Sequence, residues 1–122
     1  MGKVTHDSVM DAALDKIATS TSQHVCSAEP TTLAEATTTY NLATQAMVGG
    51  DYTNANGDVS GRKVTVAAKA GVSITATGTA THVALTDGIN VLDVTTCTSQ
   101  ALTSGGTVDI PAWDHEIADP TA

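Results

Sequence analysis

The chain has 122 residues and a formal net charge of −8, from 13 acidic and five basic side chains. That length is one domain, because two halves of about 60 residues would each bury only roughly 60% of their unfolded surface and be marginal. With no run of Lys or Arg there is no phosphate-neutralising face, which excludes nucleic-acid binding, and no stretch approaches the about 18 apolar residues of a membrane span.

In chain order, the first periodic segment is helical. Val9, Met10, Ala13, Leu14 and Ile17 form one apolar stripe, with Asp11, Asp15 and Lys16 largely off it. This spacing predicts an amphipathic helix over about residues 8–19, of about three turns. Asp7 or Ser8 can cap it, and the polar run Thr19-Ser20-Thr21-Ser22 ends it. The stripe, Leu14 and Ile17 included, is expected to pack on a sheet or on a neighbouring subunit.

A strand-rich body over about residues 24–117 begins with His24-Val25-Cys26. Pro30 biases Glu29 away from the helical region, and Thr32 with Glu35 makes a capping box, so one helical turn is expected from Leu33 to Ala36. A strand is expected within Thr37 to Val48, with Leu42, Thr44 and Ala46 sharing a face. Asp51 to Gly61, crowded with Asn54, Asn56, Gly57, Asp58 and Ser60, reads as the longest loop. Beyond it Val64, Val66 and Ala68 alternate with their neighbours, as do Val72 and Ile74 after Lys69-Ala70-Gly71, which together read as a hairpin.

The apolar positions then change parity, from Val72, Ile74 and Ala76 to Val83 and Leu85. This requires a turn, bend or bulge between Thr77 and His82, with Gly78 the natural place. Asp87-Gly88 between Val83-Ala84-Leu85 and Ile89-Asn90-Val91-Leu92 predicts a hairpin with a type I′ turn. The next strand runs to about Cys97, and Thr107 to Ile117 closes the sheet, with Pro111 placing part of that segment on an edge.

Leu, Ile and Val together make 23 residues, Phe none and Thr 22. Thr suits a pleated, half-buried surface. The expected fold is therefore mainly β: an antiparallel β-sandwich or barrel-like domain of two small sheets, with one N-terminal amphipathic α-helix. One Trp and two Tyr supply little aromatic bulk. Such a thin core favours assembly with further copies over solitary life.

The residue types that carry chemistry do not group. His6, His24, His82 and His115 match no zinc spacing, and Asn54 to Ser60 lacks the Asp-x-Asp start and the bidentate Glu of a calcium loop, reading as a solvated turn. Gly-x-Ser-x-Gly and Ser-x-x-Lys are missing, and Gly49-Gly50 and Gly105-Gly106 lack the Lys-Ser/Thr of a phosphate loop. Cys26 and Cys97 are expected to be free, buried thiols. The acidic end, Asp109, Asp114, Glu116 and Asp119, reads as a solvated strand and tail. The opening Met1-Gly2-Lys3-Val4 lacks a signal peptide's apolar region, so synthesis in the cytosol as a soluble protein is expected. No enzyme activity, cofactor or metal is expected. Trp113 is a core plug or an interface anchor.

Several segments resemble a group of small accessory structural proteins of tailed-bacteriophage virions. They are Val25-Cys26-Ser27-Ala28-Glu29-Pro30-Thr31-Thr32 with Ala34-Glu35-Ala36, Gly61-Arg62-Lys63-Val64-Thr65-Val66, Gly78-Thr79-Ala80-Thr81-His82-Val83-Ala84-Leu85, and Ser104-Gly105-Gly106-Thr107-Val108 leading to Pro111-Ala112-Trp113. The resemblance implies a virion location after synthesis in the host cytoplasm. It also implies the role of a capsid decoration or cement protein that binds the major capsid protein and itself, commonly as a homotrimer bridging capsomers. The alternatives are a minor tail or neck component, or a carbohydrate- or receptor-binding β-sandwich, which would need exposed aromatics where this chain offers Tyr40, Tyr52 and Trp113. Trp113, Val83, Leu14 and Ile17 are the candidate interface residues.

Overall fold

The computed structural model describes residues 5–118; Met1 to Val4 and Asp119, both invoked above, lie outside them. The helix α1 spans Asp7–Ile17. It is capped by His6, whose imidazole accepts the Ser8 N–H at 3.1 Å, in place of Asp7 or Ser8. Met10, Leu14 and Ile17 are buried, while Val9 is 60% exposed and Ala13 is also exposed. The buried stripe is narrower than the apolar one, because a single line of contacts suffices where the helix crosses the sheet.

Among the described residues nine strands follow: β1 (Ser22–Cys26), β2 (Asn41–Ala46), β3 (Tyr52–Asn56), β4 (Arg62–Val66), β5 (Lys69–Ser73), β6 (Gly78–Thr86), β7 (Val91–Leu102), β8 (Thr107–Ile110) and β9 (Trp113–Ile117). They form three antiparallel sheets, in the orders β2-β1-β6-β7, β3-β4-β9 and β5-β8. The architecture is mainly β with one N-terminal helix, layered like a sandwich and not closed into a barrel.

Between β1 and β2 the chain makes a π-helical turn, Glu35–Thr39, where one ordinary turn is expected. Thr32 Oγ1 accepts the Glu35 N–H at 3.2 Å, and the Glu35 carboxylate reaches back to the Thr31 N–H at 2.9 Å and hydroxyl at 2.7 Å. The box thus closes on Thr31 as well as Thr32. In β2, Leu42 and Ala43 are buried while Thr44 and Ala46 are exposed, so the expected common face of Leu42, Thr44 and Ala46 is not a buried one.

Three local expectations are corrected by long-range pairing. Tyr52–Asn56, expected as loop, is a strand in register with β4, from Tyr52 opposite Val66 to Asn56 opposite Arg62. The strands β4 and β5 do not pair with each other: β4 lies between β3 and β9, and β5 joins β8. Asp51 fixes the corner, its carbonyl accepting the Ala67 N–H at 2.8 Å and its carboxylate holding Lys69 Nζ at 2.8 Å. Thr107 to Ile117 does not close one sheet either, because Pro111 divides it into β8 and β9, which belong to different sheets.

Within the interval where the parity changes, the β6–β7 register is irregular between Ala80 and His82, with extra residues of β7 opposite Thr81. Gly78 serves close packing instead, since a Cβ there would lie 2.9 Å from Leu42 Cδ2. The hairpin β6–β7 is present, but Thr86 pairs with Val91, leaving four residues in the turn. Gly88 alone takes a positive φ, 88°, and the Asp87 carboxylate accepts the N–H groups of Ile89 and Asn90 at 2.9 and 2.8 Å. A side-chain cap therefore replaces the type I′ geometry.

The four-stranded sheet is central, and three apolar clusters cover it. One joins Leu14 and Ile17 to Met47, Val64, Val66 and Leu85, between α1, β4 and β6. A second joins Val25, Leu42, Ala43 and Ala80 to Val72, Val108 and Ile110, between the central sheet and the β5-β8 pair. On the opposite face Cys26, Ala36 and Ala84 pack beneath the π-helical turn.

Candidate functional site: a groove between two strand edges

Among the described residues the central sheet ends at β7 and β8 pairs only with β5, so one edge of each strand has no strand partner there. Between them lies an apolar groove of two adjoining lobes with cavity volumes of about 180 and 270 Å³. Val83, Cys97, Thr98, Ile110 and Pro111 line both lobes. Val25, Ala80 and Val108 extend one lobe toward the core, and Thr95, Thr96 and Trp113 complete the other. Asp109 is the one charged side chain in this lining.

Trp113 is half-buried and fixed in place. Its indole N–H donates to Gln23 Oε1 at 2.8 Å, and Gln23 is wholly buried in β1. The ring also packs against the cluster around Leu14. An aromatic held this rigidly at a groove wall can contact a partner with little entropy left to lose.

Of the four candidate interface residues, the groove brings together two, Val83 and Trp113. The other two, Leu14 and Ile17, are buried inside the subunit against β4 and β6. Sequence reading missed Ile110, Pro111 and the edge Thr95 to Thr98. The proline's preference for an edge was the one signal pointing to them.

Among the described residues the cysteines and histidines lie in separate surroundings. Cys26 is buried and free, and burial pushes its thiol up to about 11. Cys97 is free but exposed, against the expectation of burial, because the irregularity in β7 carries it to the surface. His24 is buried, which lowers its pKa, and its ring nitrogens lie 3.0 Å from Thr44 Oγ1 and 3.1 Å from Thr86 Oγ1. Among the described residues no three of His, Cys, Asp and Glu come together to hold a metal ion. Two side-chain oxygens of the Asn54–Ser60 segment accept from basic side chains: Arg62 donates to Asn56 Oδ1 at 2.8 Å, and Lys63 to Asp58 Oδ1 at 2.8 Å. The same arginine binds Asp11 of α1 at 2.8 Å, tying the helix to β4.

A second polar contact crosses between sheets near Trp113. Asp93 of β7 and His115 of β9 approach to 3.0 Å, Oδ2 to Nδ1. Burial raises the Asp93 pKa, and its Oδ1 accepts the Val94 N–H at 3.0 Å. What the whole arrangement offers is shape, apolar surface and two strand edges, the means of strand addition and packing. No family model, curated protein or solved structure matches the chain.

Proposed function

We propose that the protein is a non-enzymatic structural component of a tailed-phage virion, a decoration or cement protein that stabilises the head by bridging capsomers. The observation that carries this reading is the resemblance of four segments, from Val25 to Trp113, to accessory virion proteins. The groove supports it physically. Val83 and Trp113 form an apolar surface beside open strand edges, on a chain whose net charge of −8 otherwise favours solvent. Contacts of this kind act by addition: a modest interface per subunit, repeated in a homotrimer, reaches high avidity without catalysis.

The test is reconstitution on expanded heads that lack the protein, with occupancy measured by electron cryomicroscopy. Binding at capsomer junctions, unaffected by chelator and reduced by Trp113→Ala, is the expected result. Heads that take up none of the protein would refute the reading, and density in the tail or neck would replace it with that position. Sedimentation of the free protein is expected to give a trimer.

A further inference from the structure

We infer that His24 is an acid-sensitive latch of the central sheet: with a single ring proton, on Nδ1, it ties β1 to β2 and β6, and a second proton undoes the tie. The latch belongs to the isolated chain and stands whatever the protein binds. His24 lies on the inner strand β1, opposite Thr44 of β2 on one side and Ala84 of β6 on the other. It is an ionisable side chain in a residue only 4% exposed.

The hydrogen bonds around the ring fix where its proton sits. Thr44 Oγ1, 3.0 Å from Nδ1, already gives its hydroxyl proton to Asn41 Oδ1 at 3.2 Å, so toward the ring it can only accept. Nδ1 is therefore the N–H donor and Nε2 the bare acceptor. Thr86 Oγ1, 3.1 Å from Nε2, donates to it. The order from Thr86 through His24 and Thr44 to Asn41 runs one way across three strands, and each proton in it has an acceptor.

A second proton has no place in that order. On Nε2 it points at Thr86 Oγ1, whose own proton must turn away, and among the described residues that hydroxyl meets no other acceptor. Thr86 is 1% exposed, which keeps solvent from replacing the lost bond. Protonation thus leaves a buried donor unpaired and a cation out of water, and both cost free energy.

The charged and titratable groups on the packed elements supply no counter-charge. The strand β2 carries none. On β1, the Cys26 thiol is pushed up to about 11 by burial and stays neutral. On β6, His82 lies opposite Cys26 and meets Thr81. On β7, Asp93 pairs with Leu85 on the other face of the sheet and lies 3.0 Å from His115, and Cys97 is a second thiol. Asp87, next to Thr86, accepts the Ile89 and Asn90 N–H groups and lies 3.8 Å from Lys16. On the π-helical turn Glu35 is held by Thr31, and Tyr40 beyond it brings a phenol. The helix α1 and the strand β9 pack on the opposite face, that of Gln23 and Leu85.

The direction follows from the linkage sign. Burial lowers the His24 pKa from the ordinary imidazole value, against an opposing contribution from Asn41. A base with a depressed folded pKa is held neutral by the fold. Its contribution to stability is complete above the unfolded value of about 6.5 and is lost as pH falls from there through the folded value. The latch is closed at neutral pH and opens in acid.

Nitrogen NMR of the unaltered full chain reads the ring directly. It should show the Nδ1–H form of His24, still predominant at about pH 6.5, where half of a free imidazole is charged. Urea denaturation followed by circular dichroism at about pH 7.5 and about pH 5 reads the linkage. Between them the unfolding equilibrium constant should rise more than about twofold further in the unaltered chain than in His24→Gln, which has no ring to protonate. The ceiling on that excess is about 30-fold, the factor set by proton uptake of an unfolded imidazole over the interval. His82→Gln, altered on the same face, should still rise more than His24→Gln does. A ring carrying its proton on Nε2, a ring already half charged at about pH 6.5 in the folded chain, or an excess of about twofold or less would overturn the latch. If His24→Gln does not fold, the ring resonances of the unaltered protein decide alone.

Discussion

Truncating Leu14 to alanine removes a side chain with 0% exposure from the cluster that joins α1 to β4 and β6. The transfer cost of the lost carbons is about 2.4 kcal/mol, at about 0.8 kcal/mol for each of about three buried carbons. A cavity is added to that, because the helix cannot settle inward freely. Arg62 pins it through Asp11, and Val64 and Val66 beneath it belong to a strand paired on both sides. The total should fall at about 3–4 kcal/mol. Against a domain stability of about 5–15 kcal/mol, that is a large fraction, and it should lower Tm by about 10–20 °C. Urea denaturation at fixed protein concentration, followed by Trp113 fluorescence and by circular dichroism, measures it. Val9→Ala is the internal control, since Val9 belongs to the same sequence stripe but is 60% exposed, and should change stability by less than about 0.5 kcal/mol. A Leu14→Ala cost as small as the control's would refute the placement of the helix.

Trp113→Phe keeps most of the ring but removes the indole N–H, leaving buried Gln23 Oε1 without its donor; a loss of about 1–3 kcal/mol is expected in urea denaturation followed by circular dichroism alone, since the variant has no tryptophan to fluoresce. A thiol reagent should label one cysteine per native chain, Cys97, and reach Cys26 only on unfolding, as mass spectrometry of the labelled chain would show. Tyr52, whose hydroxyl donates to the Ser20 carbonyl at 3.0 Å, is raised by burial to about 12. Because the raised pKa favours the protonated phenol in the folded state, the stability it contributes is complete below its unfolded value and is lost as pH climbs toward 12. An ultraviolet titration of the native protein should show one tyrosine ionising only near that pH, and Tyr52→Phe should remove the late step.

The parts of the fold written in local sequence were legible. Helical spacing from Val9 to Ile17 and the Asp87-Gly88 dipeptide each specify an element through neighbours a few residues apart. The missed features are those that depend on distant partners. Asn54 and Asn56 read as turn residues, yet they lie in β3 because β4 offers an edge and Arg62 and Asp15 bind their side chains. Alternation at Val64 to Ile74 shows that two strands exist but not which strands they pair with. For the candidate site, Trp113 stood out by its rarity and Val83 by its strand, but their meeting depends on β9 pairing with β4 beneath the central sheet. The approach of Asp93 to His115 has no local signal at all.

The position of β1 at the middle of the central sheet bears on synthesis. Ser22 pairs on one side with Ala46 and on the other with Thr86, 64 residues further along the chain. At about 5–20 residues per second the second partner trails the first strand by about 3–13 s, before β6 can clear the ribosome. For that interval β2 alone can shield β1, and its other edge is open to any neighbouring nascent chain. A slow, non-local closing step and a concentration-dependent yield are the kinetic signature of this topology. Lower temperature or slower expression should favour the native sheet over association between unfinished chains.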